Sequence, residues 1–212
     1  MNLKKYKQIF GEFAEDAEFI DENIKKLNLN KDCKILDIGT GIGAMSSLLA
    51  LNGFTVLTGE PEVNPERSNL DHEHHHHNYK SHEPHHNTHN WQAWGDWKES
   101  ARTLSVLNKI EFQYFDAQEL PFGDKTFMGI FLFDSLQHIQ NRELALKECI
   151  RVLIPGGMIM VIEWTKNQIE EDYKKYGYKI DFINPEEFID RNDISIGLNP
   201  GKHVNIYILR QN

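Results

Sequence analysis

A glycine-rich turn directly after a short apolar strand is the segment of this 212-residue chain that is best suited to chemistry on a ligand. Residues 35–43 read Ile-Leu-Asp-Ile-Gly-Thr-Gly-Ile-Gly, with Asp37 just ahead of the first glycine. Glycines at 39, 41 and 43 let the backbone turn sharply and approach a ligand closely. Residues 44–50 continue as a predicted helix whose amino terminus would face that ligand. The pattern is typical of nucleotide binding in α/β proteins.

Two kinds of nucleotide ligand are compatible with this turn. Gly39, Gly41 and Ala44 match the dinucleotide pattern G-x-G-x-x-G/A, so an NAD-binding Rossmann enzyme is one alternative. Asp37 favours another ligand, because a fixed negative charge beside the turn would repel a pyrophosphate and attract an ammonium or a sulfonium group. S-adenosylmethionine carries both of these cations.

Further strands follow the turn at regular intervals. Residues 54–60 form a predicted second strand that ends at Glu60, about 20 residues beyond the turn, where such folds place the carboxylate that binds the ribose hydroxyls. Residues 110–115 alternate as a third strand and lead into Asp116 and Ala117. Residues 128–133 and 158–163 are apolar and predict a fourth and a fifth strand.

In this order and spacing the segments resemble the class I S-adenosylmethionine-dependent methyltransferases. Residues 116–127 are similar to the family's D-A-x-x-L-P-F-x-D-x-S-F segment, and residues 151–157 to its R-V-L-K-P-G-G segment. The resemblance implies an α/β fold of three layers, Rossmann-like, around a seven-stranded and mostly parallel sheet with one antiparallel strand. It also implies that His138 faces the substrate, where it is the candidate catalytic base; a histidine of residues 72–89 could instead be the base, and His138 could instead be a structural cap of the neighbouring helix. The cofactor is expected to be held by Asp37, Gly39, Thr40, Gly41, Gly43, Glu60, Pro61, Asp116, Ala117, Phe133 and Asp134.

The elements that flank these strands can also be predicted. Residues 1–28 carry apolar side chains at helical spacing and predict an amino-terminal helix, which either lies over the cofactor pocket, as in the family, or simply packs on the core. Asn141 is a predicted cap for a helix with a buried face, and residues 167–176 predict another helix. Pro185 begins a short helical turn, and residues 193–198 and 203–210 predict a final hairpin.

The segment at about 64–97, between the second and third strands, departs from the family. It is too long for an ordinary connection, and nine of the eighteen residues from His72 to His89 are histidine. It leaves from the carboxyl end of a strand, the edge at which open α/β sheets bind ligands. Trp91, Trp94 and Trp97 predict the face of a helix that re-enters the fold, either as core packing or as an aromatic wall for a substrate.

Histidine is the commonest transition-metal ligand, so this segment predicts a site for zinc, nickel, cobalt or copper. The alternative is a solvated low-complexity loop without a physiological metal. The candidate ligands are a subset of His72, His74, His75, His76, His77, His82, His85, His86 and His89. A metal there could assist methyl transfer, and a metal-binding protein on a methyltransferase scaffold is a second alternative function.

Composition indicates one domain, spanning residues 1–212 and including the insertion. A net charge of −9 opposes binding to nucleic acid, so the expected acceptor of the methyl group is a small molecule. Two distant cysteines, Cys33 and Cys149, are expected to be reduced structural thiols. No signal peptide or membrane-spanning run is recognisable, so a cytoplasmic protein is expected. Nothing in the sequence indicates an oligomeric state.

Overall fold

A single twisted sheet organises the fold. The structure, a computed structural model, describes residues 3–62, 96–177 and 179–212. Within these residues the sheet has seven strands in the order β3-β2-β1-β4-β5-β7-β6. Their bounds are β1 Ile35–Ile38, β2 Val56–Gly59, β3 Ile110–Phe112, β4 Phe127–Phe133, β5 Leu153–Trp164, β6 Ile194–Pro200 and β7 Val204–Gln211.

The strand directions confirm the predicted sheet. Strands β1 to β5 pair in parallel, while β7 is antiparallel to both of its neighbours, β5 and β6. The helices are α1 Leu3–Phe10, α2 Ala17–Lys26, α3 Ala44–Leu51, α4 Trp97–Thr103, α5 Arg142–Val152 and α6 Lys166–Tyr176. None of these described helices is long and apolar enough to cross a membrane.

The core has two halves, one on each face of the sheet. Successive residues of β1 divide between them: Ile35 packs in the half that contains α2 and α3, and Leu36 packs in the half that contains α5. This division follows from the alternation of side chains along a strand. On the α5 side, Leu146 and Cys149 are completely buried, as their helical spacing predicts. The result is the three-layer arrangement of helices on both sides of a sheet.

The prediction of one amino-terminal helix over residues 1–28 was wrong. The chain forms α1, then a short 3-10 turn from Gly11 to Ala14, and then α2. Gly11 has a φ of +53°, outside the helical region, so the helix cannot continue through it. Both helices still bury the predicted side chains, among them Tyr6, Phe10, Ile20 and Ile24.

Three other boundaries differ from the predictions. Strand β3 ends at Phe112 rather than at residue 115, and β5 begins at Leu153, directly after α5, rather than at residue 158. The helix after the insertion begins at Trp97, because the Asp96 side chain accepts a hydrogen bond from the backbone N–H of Lys98 and caps it. Trp91 and Trp94 lie outside the described residues, whereas Ala101 of α4 and Leu104, which follows the helix, are buried.

Candidate functional site

The glycine-rich turn lies where β1 ends and α3 begins. Gly39, Gly41 and Gly43 all have positive φ angles, as the sequence predicted for a sharp turn. Gly43 is the N-cap residue of α3 and supplies no side-chain cap. The backbone N–H groups of the first turn of a helix have no partner within the helix, and one of them, that of Ser46, is directed at the Asp37 carboxyl group.

Asp37 is the buried charge of this site. Its side chain is only 1% exposed, and Oδ2 accepts a hydrogen bond of 2.9 Å from the hydroxyl of Thr58 on β2. Oδ1 is buried and has no hydrogen-bond partner among the described residues. Burial raises the pKa of Asp37 to about 7, although the Thr58 hydroxyl and the backbone N–H of Ser46 favour the charged form. An orphaned buried carboxylate oxygen is costly unless a ligand supplies a partner or a positive charge.

Glu60 lies across the turn from Asp37, on the neighbouring strand end. Its Oε2 accepts a hydrogen bond of 3.1 Å from the backbone N–H of Gly41, which ties the end of β2 to the turn. The negative charge of Glu60 also contributes to the raised pKa of Asp37. Pro61 follows directly and is exposed.

Asp116 and Ala117 reach the same edge of the sheet through the end of β3. Beyond the regular strand, the backbone N–H of Phe115 still donates to the carbonyl of Glu60 at 3.1 Å, so Asp116 follows a residue paired with the Glu60 backbone. Asp116 is exposed, and its Oδ1 accepts a hydrogen bond from the backbone N–H of Gln118. The structure therefore brings the predicted residues of β1, β2 and β3 together at one edge.

Asp134 and Ser135 extend this edge beyond β4. The Ser135 hydroxyl donates to the Ile38 carbonyl at 2.7 Å, directly before the glycine turn. Asp134 has a φ of +53°, which is unusual outside glycine and is found mostly in aspartate and asparagine. Its Oδ1 accepts a hydrogen bond of 2.7 Å from the indole N–H of Trp164 at the end of β5, and it also accepts one from the Gln137 side chain.

Burial perturbs the two carboxyl groups behind this edge. It raises the pKa of Asp134 to about 7, and the nearby charge of Asp172 raises it further. Burial likewise raises the pKa of Glu163 to about 8, with Asp134 contributing a second like charge. Glu163 accepts a hydrogen bond from the backbone N–H of Leu136 at 2.9 Å. Two neighbouring carboxyl groups with raised pKa values can hold or exchange a proton near neutral pH.

His138 does not join this cluster. It ends the short 3-10 turn Leu136–His138, and its side chain is exposed. Neighbouring atoms still crowd the ring enough to lower its pKa through desolvation. Its backbone N–H donates to the Ser135 carbonyl, but its ring forms no hydrogen bond to any residue that the structure describes. The geometry gives no contact that would assign it a catalytic role.

A cavity of about 440 Å³, here called the acidic cavity, opens beside Trp164. It lies between the amino-terminal segment, the start of α6 and the loop before β7. Its lining includes Glu12, Glu15, Trp164, Glu171, Asp172 and His203. The centroid of the Trp164 ring lies 6.1 Å from that of Phe13 and 6.3 Å from that of Phe133. The hydrogen bond from Trp164 to Asp134 connects this cavity to the residues that surround the glycine turn.

The sequence interpretation missed four of these residues: Tyr6, Thr58, Ser135 and Trp164. Thr58 could have been noticed as a polar residue in an apolar strand, two positions before Glu60. Trp164 ends a strand at its carboxyl side, which is where ligands bind in such sheets. Tyr6, whose hydroxyl donates to the Ala44 carbonyl at 3.0 Å, gave no signal, because its spacing is that of an ordinary core residue.

The predicted histidine metal site lies outside the described residues. Within residues 3–62, 96–177 and 179–212 no group of three or more histidine, cysteine, aspartate or glutamate side chains is arranged to hold a metal ion. Cys33 and Cys149 are both free thiols, as expected, and Cys149 is buried.

Comparison with protein families identifies related sequences. A family model described as a methyltransferase domain matches residues 10–211. The ubiquinone/menaquinone biosynthesis C-methyltransferase UbiE of Klebsiella pneumoniae is 35% identical over 79 residues, which is 37% of this chain and 32% of that protein. UbiE of Salmonella arizonae is 37% identical over the same share of each chain. The chain thus matches about a third of the length of these curated relatives.

Solved structures share the fold at low sequence identity. A Methanococcus maripaludis protein assigned to the S-adenosylmethionine-dependent methyltransferases superposes with a TM-score of 0.64 at 17% identity, covering 99% of this chain and 92% of that one. A Pyrococcus horikoshii protein gives 0.63 at 17% identity, covering 98% and 95%. An S-adenosylmethionine-dependent methyltransferase of Aquifex aeolicus gives 0.55 at 19% identity, covering 99% and 98%. At these identities the likeness concerns the fold.

Proposed function

Since the chain belongs to the methyltransferase-domain family, we propose that it is a class I S-adenosylmethionine-dependent methyltransferase that acts on a small molecule. The observation that carries this proposal is the convergence of Asp37, Glu60 and Asp134 at the carboxyl ends of three adjacent strands, beside a cavity of small-molecule size. A net charge of −9 supports a small acceptor over a nucleic acid.

The described residues fit S-adenosylmethionine. Asp37 offers an unpaired buried carboxylate oxygen, which suits the positive charges of this cofactor. No atom of the described residues lies within 4 Å of the position that a Cβ on Gly41 would occupy, so these residues leave the backbone there open to a ligand. We assign Asp37 and the turn residues Gly39, Thr40, Gly41 and Gly43 to the methionine part, Glu60 with Pro61 to the ribose, and Asp116 with Ala117 to the adenine. Phe133 and Asp134 would border the methyl group.

The reaction needs little chemistry from the protein. When bound, the cofactor supplies a sulfonium methyl group that a nucleophile displaces in line, so positive charge on sulfur is neutralised. The residues therefore act chiefly by alignment and by exclusion of water. A proton acceptor is required only for acceptors that arrive protonated. Asp134 is better placed for that role than His138, because it lies between the glycine turn and the acidic cavity.

Neither alternative function gains support from the described residues. An NAD-binding enzyme would place a pyrophosphate against the turn beside Asp37, where the buried carboxyl group would oppose it. The metal-binding alternative and metal-assisted transfer depend on the histidines of residues 72–89, which lie outside the described residues. They carry no part of this proposal.

Titration calorimetry with S-adenosylhomocysteine tests the cofactor assignment. Replacing Glu60 by alanine removes a charged acceptor for the ribose hydroxyls and is expected to weaken binding by about 1.5–3 kcal/mol, as loss of a hydrogen bond to a charged group does. The control is Glu62→Ala, which removes an exposed carboxylate two residues further on and is expected to bind normally.

Unchanged affinity in Glu60→Ala would remove Glu60 from the site. A wild-type protein that binds neither S-adenosylhomocysteine nor S-adenosylmethionine would contradict the whole assignment. Titration with NAD under the same conditions distinguishes the dinucleotide alternative.

A further inference from the structure

The charged side chains that line the acidic cavity favour methyl acceptors of one charge over the other. Among the described residues its lining includes four carboxylates, Glu12, Glu15, Glu171 and Asp172, and two ammonium groups, Lys175 and Lys202. Lys175 and Glu12 neutralise each other, because Lys175 Nζ lies 2.7 Å from Glu12 Oε1, and three carboxylates then face one ammonium group. Anionic acceptors would meet a net repulsion here, whereas a cation would be attracted.

Aromatic rings line the inner end of the acidic cavity. Trp164 contributes to the wall, with Phe13 on one side and Phe133 behind it. Aromatic faces attract organic cations, and the attraction is greatest where water is excluded. A wall of this kind combined with surrounding carboxylates is suited to an ammonium group attached to an apolar body.

Hydrogen bonds also connect the acidic cavity to the glycine turn. The Trp164 indole N–H holds Asp134, and Asp134 is followed by Ser135, whose hydroxyl donates to the carbonyl preceding Gly39. A molecule seated against Trp164 is therefore separated from the glycine turn by this short polar connection. At about 440 Å³ the acidic cavity is within the range of small-molecule sites.

We propose that the acidic cavity binds the methyl acceptor and that this acceptor is a small aromatic or alkyl amine, methylated on nitrogen. The proposal rests on the function proposed above and specifies its substrate class. Glu171 and Asp172 attract the ammonium form, and Trp164 covers the apolar body. Both carboxylates lie in the middle of α6, so one helix carries the charge selection.

The transfer balances without a further reactant. The bound ammonium gives a proton to the Asp134 carboxylate, which leaves a neutral amine with a free electron pair. That pair forms the new N–CH3 bond, the S–CH3 bond breaks with its electrons on sulfur, and the sulfonium becomes a thioether. The product is a methylated ammonium ion, whose positive charge replaces that of the cofactor.

Matched probes test the charge selection. Binding of 2-phenylethylamine, 2-phenylethanol and 3-phenylpropionate would be measured by calorimetry with S-adenosylhomocysteine present, and transfer of a labelled methyl group would be measured with S-adenosylmethionine. The amine is expected to bind and to accept the methyl group, and the carboxylate to do neither. Equal binding of all three probes, or binding of none, would overturn the proposal.

Three variants localise the effect. Asp172→Asn and Glu171→Gln each remove one cavity charge and are expected to weaken amine binding about tenfold, the loss typical of one charged hydrogen bond. Glu170→Gln removes an exposed carboxylate of the same helix that does not line the acidic cavity, and it should leave amine binding unchanged. An equal loss in Glu170→Gln would refute a role for the cavity.

Cofactor binding separates this proposal from the one on which it rests. All three variants are expected to keep the wild-type affinity for S-adenosylhomocysteine, because no substitution touches the glycine turn. If the wild type binds S-adenosylhomocysteine but prefers the carboxylate probe, the amine proposal fails and the methyltransferase assignment stands. If S-adenosylhomocysteine does not bind, the proposed function itself has failed.

Discussion

Gly39 and Gly41 both have positive φ angles but opposite surroundings. A Cβ on Gly39 would lie 2.4 Å from Ser135 Oγ, whereas a Cβ on Gly41 would meet no atom of the described residues within 4 Å. The first glycine is therefore required by the protein's own packing. Gly41 is required by the fold only because its φ is +47°, an angle that favours glycine. The space beside Gly41 is available to a ligand.

Alanine substitutions are expected to separate these two requirements. Both should lose about 1–2 kcal/mol of unfolding free energy to left-handed strain. Gly39→Ala should lose a further 0.5–1.5 kcal/mol, about the value of one hydrogen bond, because Ser135 must release the Ile38 carbonyl. Gly41→Ala should instead lose affinity for S-adenosylhomocysteine while remaining folded.

Urea denaturation without ligand and calorimetry on the folded variants would measure the two effects. A Gly41→Ala protein that binds S-adenosylhomocysteine like the wild type would show that the cofactor does not approach this part of the turn. Equal stability of the two variants would show that Ser135 adjusts without cost.

Individual residues were predictable where sequence position fixes their location. The locations of Asp37 and Glu60 can be predicted because both lie at strand ends, at a fixed spacing from the glycine turn.

Asp16 shows the limit of such reasoning. It precedes α2 and has the residue type of a helix cap, yet its side chain caps nothing in that helix. It binds residues almost 190 positions away, and no local pattern contains that information.

Asp16 joins two elements, the start of α2 and the start of β7. Its Oδ2 accepts hydrogen bonds of 2.9 Å from the backbone N–H groups of His203 and Val204, and Oδ1 lies 2.9 Å from His203 Nδ1. Burial alone would raise the pKa of Asp16, but these hydrogen bonds outweigh it and hold the pKa below its usual value. The carboxylate thus fixes the amino-terminal segment against the last hairpin.

Asp16→Ala is expected to lower the free energy of unfolding by about 1.5–3 kcal/mol, because it leaves two backbone N–H groups without their charged acceptor. Glu15→Ala is the control: its half-exposed carboxylate contacts only His203 Nε2, and such pairs contribute about 0–1 kcal/mol.

The difference between wild type and Asp16→Ala should also depend on pH. A lowered pKa in the folded state adds stability that is present above the ordinary aspartate value and is lost as pH falls through the folded value. Denaturation at neutral pH and in acid checks this sign. A difference that grows in acid would contradict the assignment.

The predicted elements agree with the structure where hydrophobic periodicity alone decides them. The strand order and the single antiparallel strand required the family resemblance, since periodicity does not specify neighbours. The break at Gly11 was missed because the buried faces of α1 and α2 join the same half of the core, so the apolar spacing continues across it. The short β3 was overestimated because Gln113 and Phe115 still hydrogen-bond to the end of β2 after the regular ladder stops.

At the scale of the whole molecule, the helix that follows the insertion begins close to the glycine-rich turn. Residue 62 follows Glu60 by two positions, and a Cβ on Gly43 would lie 2.9 Å from the Cβ of Trp97, the first residue of α4. The described residues on both sides of the histidine-rich segment thus border the proposed cofactor site.

Deletion of residues 72–89 tests whether the histidines contribute to function. The deleted protein is expected to bind S-adenosylhomocysteine with nearly wild-type affinity, because Asp37, Glu60 and Asp116 all remain. Calorimetry checks this, and methyl transfer measured with and without a chelator shows whether the histidines matter to turnover. A large loss of cofactor affinity would instead place the segment in contact with the cofactor.

The hydrogen bonds from Asp16 to the start of β7 bear on the order in which the two proposed sites form. The residues proposed to bind the cofactor lie between positions 37 and 134, within the first two thirds of the chain. The acidic cavity needs residues 12–15 together with residues 164–176 and 202–203. During synthesis the proposed cofactor site can therefore assemble before the acidic cavity, whose walls meet only after residue 203 has been made. The two sites occupy separate stretches of sequence, so the proposed acceptor preference can diverge while the glycine turn stays unchanged.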